Sequence, residues 1–106
     1  MQSKNQPNKA QKDFRENLRS LYPGSEIHHL YGASARVKID LVSTNVGHWA
    51  IIAMLPNHDE MIKALGGNRR EYEKETWIIQ MGVYLVEHGE LPFAEEIYKA
   101  ILGYHK

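Results

Sequence analysis

Trp49-Ala50-Ile51-Ile52-Ala53-Met54-Leu55-Pro56-Asn57-His58-Asp59 carries the clearest fold signal in the chain. Seven apolar residues in a row, closed by Pro-Asn, predict a strand buried on both faces. Periodicity alone leaves a helix open there. The run is far short of the ~18 residues that cross a membrane. Pro56-Asn57 breaks it and starts a helix, with Asn57 as the candidate N-cap and Asp59 and Glu60 in the first turn.

Upstream, Ala35–Val42 alternates. Val37, Ile39 and Leu41 fall on one side and Arg36, Lys38 and Asp40 on the other, the pattern of a half-buried strand or hairpin arm. Ser43–Gly47 reads as a turn, and Ser25–Tyr31 as a short strand ending at Gly32. Before these, Asn8 is a plausible N-cap for a helix with Ala10, Phe14, Leu18 and Leu21 on its apolar stripe, stopped by Pro23-Gly24. After Gly66-Gly67 a long helix is predicted over 68–87. Tyr72, Thr76, Ile79 and Val83 form its stripe, and Trp77, Met81 and Tyr84 lie beside it. His88-Gly89 closes this helix, and Pro92 opens a last one with Phe93, Ile97, Ala100 and Ile101 as its face. Helix, two or three strands, then three helices is an α+β order. It lacks the βαβ alternation of a parallel sheet.

The 106 residues suit one domain behind a polar, flexible tail at 1–8. At 42% hydrophobic and 25% charged, the chain should fold. Cysteine is absent, which removes disulfides, thiol nucleophiles and sulfur-bound zinc. The opening residues hold no apolar stretch, so no signal peptide is expected and the cytoplasm is the default location. The 13 basic and 13 acidic residues are unevenly spread: 10 against 6 over residues 1–70, and 3 against 7 over 71–106. A nucleic acid would therefore meet the first two-thirds of the chain.

Four of the six histidines lie between 28 and 58: the pair His28-His29, then His48, then His58. On a strand the tandem imidazoles face opposite sides, so the two serve different tasks. His58 sits at a helix start beside Asp59, and a strand histidine facing that corner would make an N/O site for a divalent ion. His88 and His105 read as surface residues.

The phrases Ile27-His28-His29-Leu30-Tyr31-Gly32-Ala33-Ser34, Gly47-His48-Trp49 and Met54-Leu55-Pro56-Asn57-His58-Asp59 together resemble the HNH or His-Me finger nucleases. The likeness is to small phage-encoded members, in particular the RecA-dependent recombination-enhancement type, and it spans about residues 25–60. It implies a ββα-metal finger embedded among further helices, so that 9–106 would be one finger-like domain. It also implies a metal-dependent DNA endonuclease or nickase serving phage or prophage recombination or replication, in the host cytoplasm. By that resemblance His29 is the general base and His28 a metal ligand. His58 or Asp59 is the remaining ligand, and His48 orients the base or touches phosphate. One ion, Mg, Mn, Ni or Zn, would be the cofactor. Arg36, Lys38, Arg69 and Arg70 are the candidate phosphate contacts.

The chain departs from the family in three respects. It has no zinc-knuckle cysteines, its Gly32–Gly47 interval holds a patterned strand, and Asp59 stands where a second helix-start histidine is frequent. DNA is the expected partner. A homodimer through the long helix and a recombination-protein partner are both compatible with the pattern, and a membrane is not. The alternative is a non-catalytic nucleic-acid-binding or protein-interaction module on a degenerate finger. A third reading makes the histidines incidental and the acidic helical half an oligomerisation unit.

Overall fold

In a computed structural model that describes residues 6–104, Asn8 opens helix α1 (Lys9–Leu21) through a reciprocal capping box with Gln11. The box satisfies two backbone donors that the first turn would leave unpaired. Phe14 and Leu18 bury the inner face of α1, as their spacing predicts, while Ala10 stays exposed. Residues 1–5 and His105 lie outside the described residues.

Strands β1 (Glu26–His29), β2 (Arg36–Ile39), β3 (Val42–Asn45) and β4 (Ile51–Met54) follow. Then come α2 (His58–Ala64), α3 (Arg69–His88) and α4 (Glu95–Leu102). Among the described residues the fold is α+β, with four helices and two two-stranded antiparallel sheets. One sheet joins β1 to β4, with His28 opposite Ile52 and His29 opposite Ile51; the other is the β2–β3 hairpin.

The interval between β1 and β4 is thus filled by a complete hairpin. Ser43–Gly47, expected as a turn, contains most of β3, and the turn lies earlier, at Asp40-Leu41. Both turn residues have positive φ, 51° and 68°, the signature of a two-residue turn that matches strand twist. Leu41, expected on the inner face, is therefore 92% exposed at the tip.

All four residues of β4 are buried, as the apolar run predicts. The helices packed against it are α1 and α3. The short α2 follows at its end, after Leu55–Asn57, with Asn57 making no side-chain cap. α3 begins at the Asn68 cap and ends at Gly89 in left-handed backbone, close to expectation, but its buried stripe is different. Tyr72, Trp77, Gln80, Met81 and Tyr84 point inward, whereas Ile79 and Val83 are exposed.

The polar members of that stripe explain the register. Gln80 donates to Ala53 O at 2.9 Å and accepts from Ala53 N at 2.8 Å, standing in for a further strand on the outer edge of β4. Trp77 Nε1 donates to Trp49 O at 3.1 Å, and the Asn17 amide donates to Tyr84 Oη at 3.1 Å. Polar groups buried beside a strand edge need partners, and one helix face supplies them. α4 begins after the expected Pro92, at Glu95. Phe93 links the layers through rings at 5.7 Å from Phe14 and 5.1 Å from Trp49.

Candidate functional site

Because β1 is regular through His29, His28 and His29 project from opposite faces of the β1–β4 ribbon. On one face, His29 Nε2 lies 3.2 Å from His48 Nδ1, with the rings edge to face at 5.1 Å. His48 is buried, and its backbone N–H donates to Asn45 Oδ1 at 3.4 Å. The Asn45 amide in turn donates to Ala33 O at 2.8 Å.

Gly47 makes this arrangement fit. A Cβ there would stand 2.3 Å from Gly32 O and 2.9 Å from Ala33 C and O, well inside contact distance. The 32–33 loop therefore closes on residue 47 only because that residue lacks a side chain. The Gly-His-Trp phrase acquires a physical reading: no Cβ, then the imidazole facing His29, then the core indole.

The pKa of His29 is held below its ordinary value, chiefly by burial and further by the positive charge that His48, His28 and Arg15 would present to its protonated form. His29 is therefore neutral at pH 7. If its Nε2–H donates to His48, its Nδ1 keeps a lone pair that can take a proton. Arg15 on α1 completes this face. Its Nε is buried without a hydrogen-bond partner and stands 3.6 Å from Glu16 Oε1.

On the other face, His28 Nε2 lies 2.8 Å from Glu73 Oε1, and Arg69 Nε donates to the same oxygen at 3.1 Å. Glu73 is only 12% exposed, so the Arg69 guanidinium and the His28 ring N–H compensate a carboxylate largely removed from water. His28, His58 and Arg69 line one cavity of about 430 Å³ together with Met54 and Leu55. His58 places Nδ1 2.8 Å from Leu55 O, which fixes the proton on Nδ1 and leaves Nε2 as the acceptor of the neutral ring.

The predicted residues thus fall into two groups. His29 and His48 meet directly, and His28, His58 and Arg69 share a cavity. Asp59 stands 3.4 Å from His58 Nε2, but its side chain is 77% exposed and does not line that cavity. Arg36 and Lys38 sit on the separate hairpin, and Arg70 is exposed beyond the cavity.

Nitrogen and oxygen donors of this kind suit a divalent ion, yet His28 Nε2 is committed to Glu73. Among the described residues no three His, Asp or Glu side chains gather closely enough to hold one. The residues as arranged do not form a ready-made ion site.

Sequence reasoning missed Glu73 and Arg15. The Arg69–Glu73 spacing of four signals a helical ion pair, but nothing local joins Glu73 to a histidine 45 positions away. Comparison with protein-family models, with curated proteins and with solved structures gives no match.

Proposed function

We propose that the chain is a metal-dependent endonuclease or nickase that hydrolyses DNA phosphodiester bonds, with His29 as general base and His48 orienting it. The observation that carries this reading is the 3.2 Å contact between His29 and His48, made by a strand whose preceding residue, His28, faces a cavity shared with His58 and Arg69. β1 pairs with β4 on one edge and has no strand on the other among the described residues. A backbone phosphate lying along that open edge reaches side chains from both faces.

His29 takes a proton from water at its free ring nitrogen, and His48 fixes the ring's tautomer and direction. Arg15 and Arg69 attract the phosphate, and Arg36, Lys38 and Arg70 add contacts that hold DNA without choosing its sequence. The family resemblance also implies a divalent ion on His28 with His58 or Asp59, which would neutralise charge on the phosphate and leaving oxygen; holding one there would require His28 to give up Glu73. The phage setting and a recombination-protein partner rest on the family resemblance, and a homodimer rests on the apolar surface of the long helix.

The test is nicking of supercoiled plasmid with Mg²⁺, Mn²⁺, Ni²⁺ or Zn²⁺, comparing the wild type with His29→Ala. Cleavage by the wild type that falls at least ~100-fold in the variant, the usual weight of a general base, supports the reading. Inactivity with every ion, or a fully active variant, sinks it.

The absence of a three-ligand cluster among the described residues favours a second reading, a nucleic-acid-binding module on the same fold. It predicts salt-dependent DNA binding that survives EDTA without any cleavage.

A further inference from the structure

A second concavity lies along α3 and shares no lining residue with the cavity of His28 and His58. Ile78, Gly82, Leu85 and Gly89 run along one wall, Phe93 and Tyr98 form part of the other, and the groove measures about 600 Å³. The wall residues recur at spacings of four, three and four, so they follow one helix face for about 16 Å, the length of roughly three helical turns.

Two features point outward. Ile78 and Leu85 are 39% and 43% exposed in the groove wall, and Val86 beside them is 82% exposed. Gly82 sits in mid-helix, where glycine is disfavoured relative to alanine, and a Cβ there would meet nothing within 4 Å. Internal packing therefore gives no reason for a glycine. Close approach by another backbone does.

The charge around the groove selects the visitor. Residues 85–96 carry Glu87, Glu90, Glu95 and Glu96 and no Lys or Arg. Glu90 and Glu95 line the groove itself; Lys99 pairs with Glu95 at 3.4 Å, but that pair is largely exposed and leaves Glu90 unmatched by any nearby cation on its own segment. The C-terminal end of the α3 dipole adds negative potential at the same place. A second copy in a symmetric contact would set these glutamates against themselves.

We propose that this groove docks an amphipathic helix of another protein, about three turns long, whose leucine-type face is flanked by Lys and Arg. Apolar side chains of the visitor lie over Gly82 between Ile78 and Leu85, and its cations meet Glu90 and Glu95. The inference stands apart from the nuclease reading, since none of its residues belongs to either histidine group.

The experiment titrates the full chain with two synthetic helical peptides of identical pattern, one of Leu and Lys and one of Leu and Glu. Binding is followed by backbone amide NMR shifts, with sedimentation run alongside. The Leu/Lys peptide should bind at least about tenfold more tightly, weaken with salt, and shift the amides of residues 78–93. A Cβ at residue 82 meets nothing within 4 Å, so Gly82→Leu should hold or raise the melting temperature yet weaken peptide binding about tenfold or more. Should Gly82→Leu unfold the chain, the double change Glu90→Lys, Glu95→Lys is read instead and should produce the same loss. Equal binding of both peptides, shifts mapping elsewhere, no binding, or self-association through the groove would each overturn the proposal.

Discussion

At the scale of single residues, His29 joins stability to chemistry. Its protonated form is disfavoured by burial and by its imidazole neighbours, so its folded pKa lies below the ordinary value near 6.5. Below that value the unfolded chain binds a proton that the folded chain resists, and stability declines as pH falls through the window beneath 6.5. Above it neither state holds the proton, and His29 contributes no pH dependence. Proton NMR should show one imidazole titrating below 6.5, and His29→Ala should flatten that part of the stability profile; a normal midpoint would refute the burial argument.

Gly47 supplies a second residue-scale expectation. Gly47→Ala forces the 32–33 loop outward, and the His29–His48 contact opens with it. The imidazole midpoint should then move back toward 6.5 together with a loss of about 1–3 kcal/mol in stability. The tandem histidines and their opposed faces were legible in the sequence because strand alternation is a local rule. The partner of each was not. Glu73 and His48 reach His28 and His29 across 45 and 19 positions, and no spacing rule spans such distances.

At the scale of elements, α1, β4 and α3 were legible because each combines a cap or break with a strong apolar pattern. The β2–β3 hairpin was half legible. Its first strand alternates, but its turn is built from Asp40-Leu41, and leucine is not a residue that announces left-handed backbone. Leucine in that region costs about 1–2 kcal/mol relative to glycine. Leu41→Gly should therefore stabilise the hairpin by up to about 1 kcal/mol once glycine's greater unfolded-state freedom is subtracted, readable as a higher urea midpoint.

The stripe of α3 was misread for a different reason. Ile79 and Val83 are apolar and outward, while Gln80 is polar and inward, because the edge of β4 needs hydrogen bonds more than contact area. Gln80→Leu keeps the volume but strands Ala53 N–H and C=O. It should cost about 2–5 kcal/mol, with amide exchange at Ala53 accelerating first. Exchange there unchanged from the wild type would show that water replaces the glutamine without penalty.

At the scale of the whole molecule, a small core is held together by rings contributed from distant parts of the chain. Phe14 meets Trp49 at 5.5 Å, Tyr84 at 5.1 Å and Phe93 at 5.7 Å, so one side chain joins α1 to the strand layer, to α3 and to the approach to α4. It is 1% exposed. Phe14→Ala removes those contacts and leaves a cavity among stiff aromatic neighbours that cannot collapse into it, a loss of about 3–5 kcal/mol. A domain of this size holds only about 5–15 kcal/mol in total. The variant should therefore unfold in one transition displaced to much lower urea with its slope kept, because the layers share a single core. The alternative is that α1 is a detachable cover. In that case α1 amides would lose protection while β4 and α3 kept theirs, and the urea slope would fall. Hydrogen exchange on Phe14→Ala separates the two outcomes, and the shared ring cluster predicts the first.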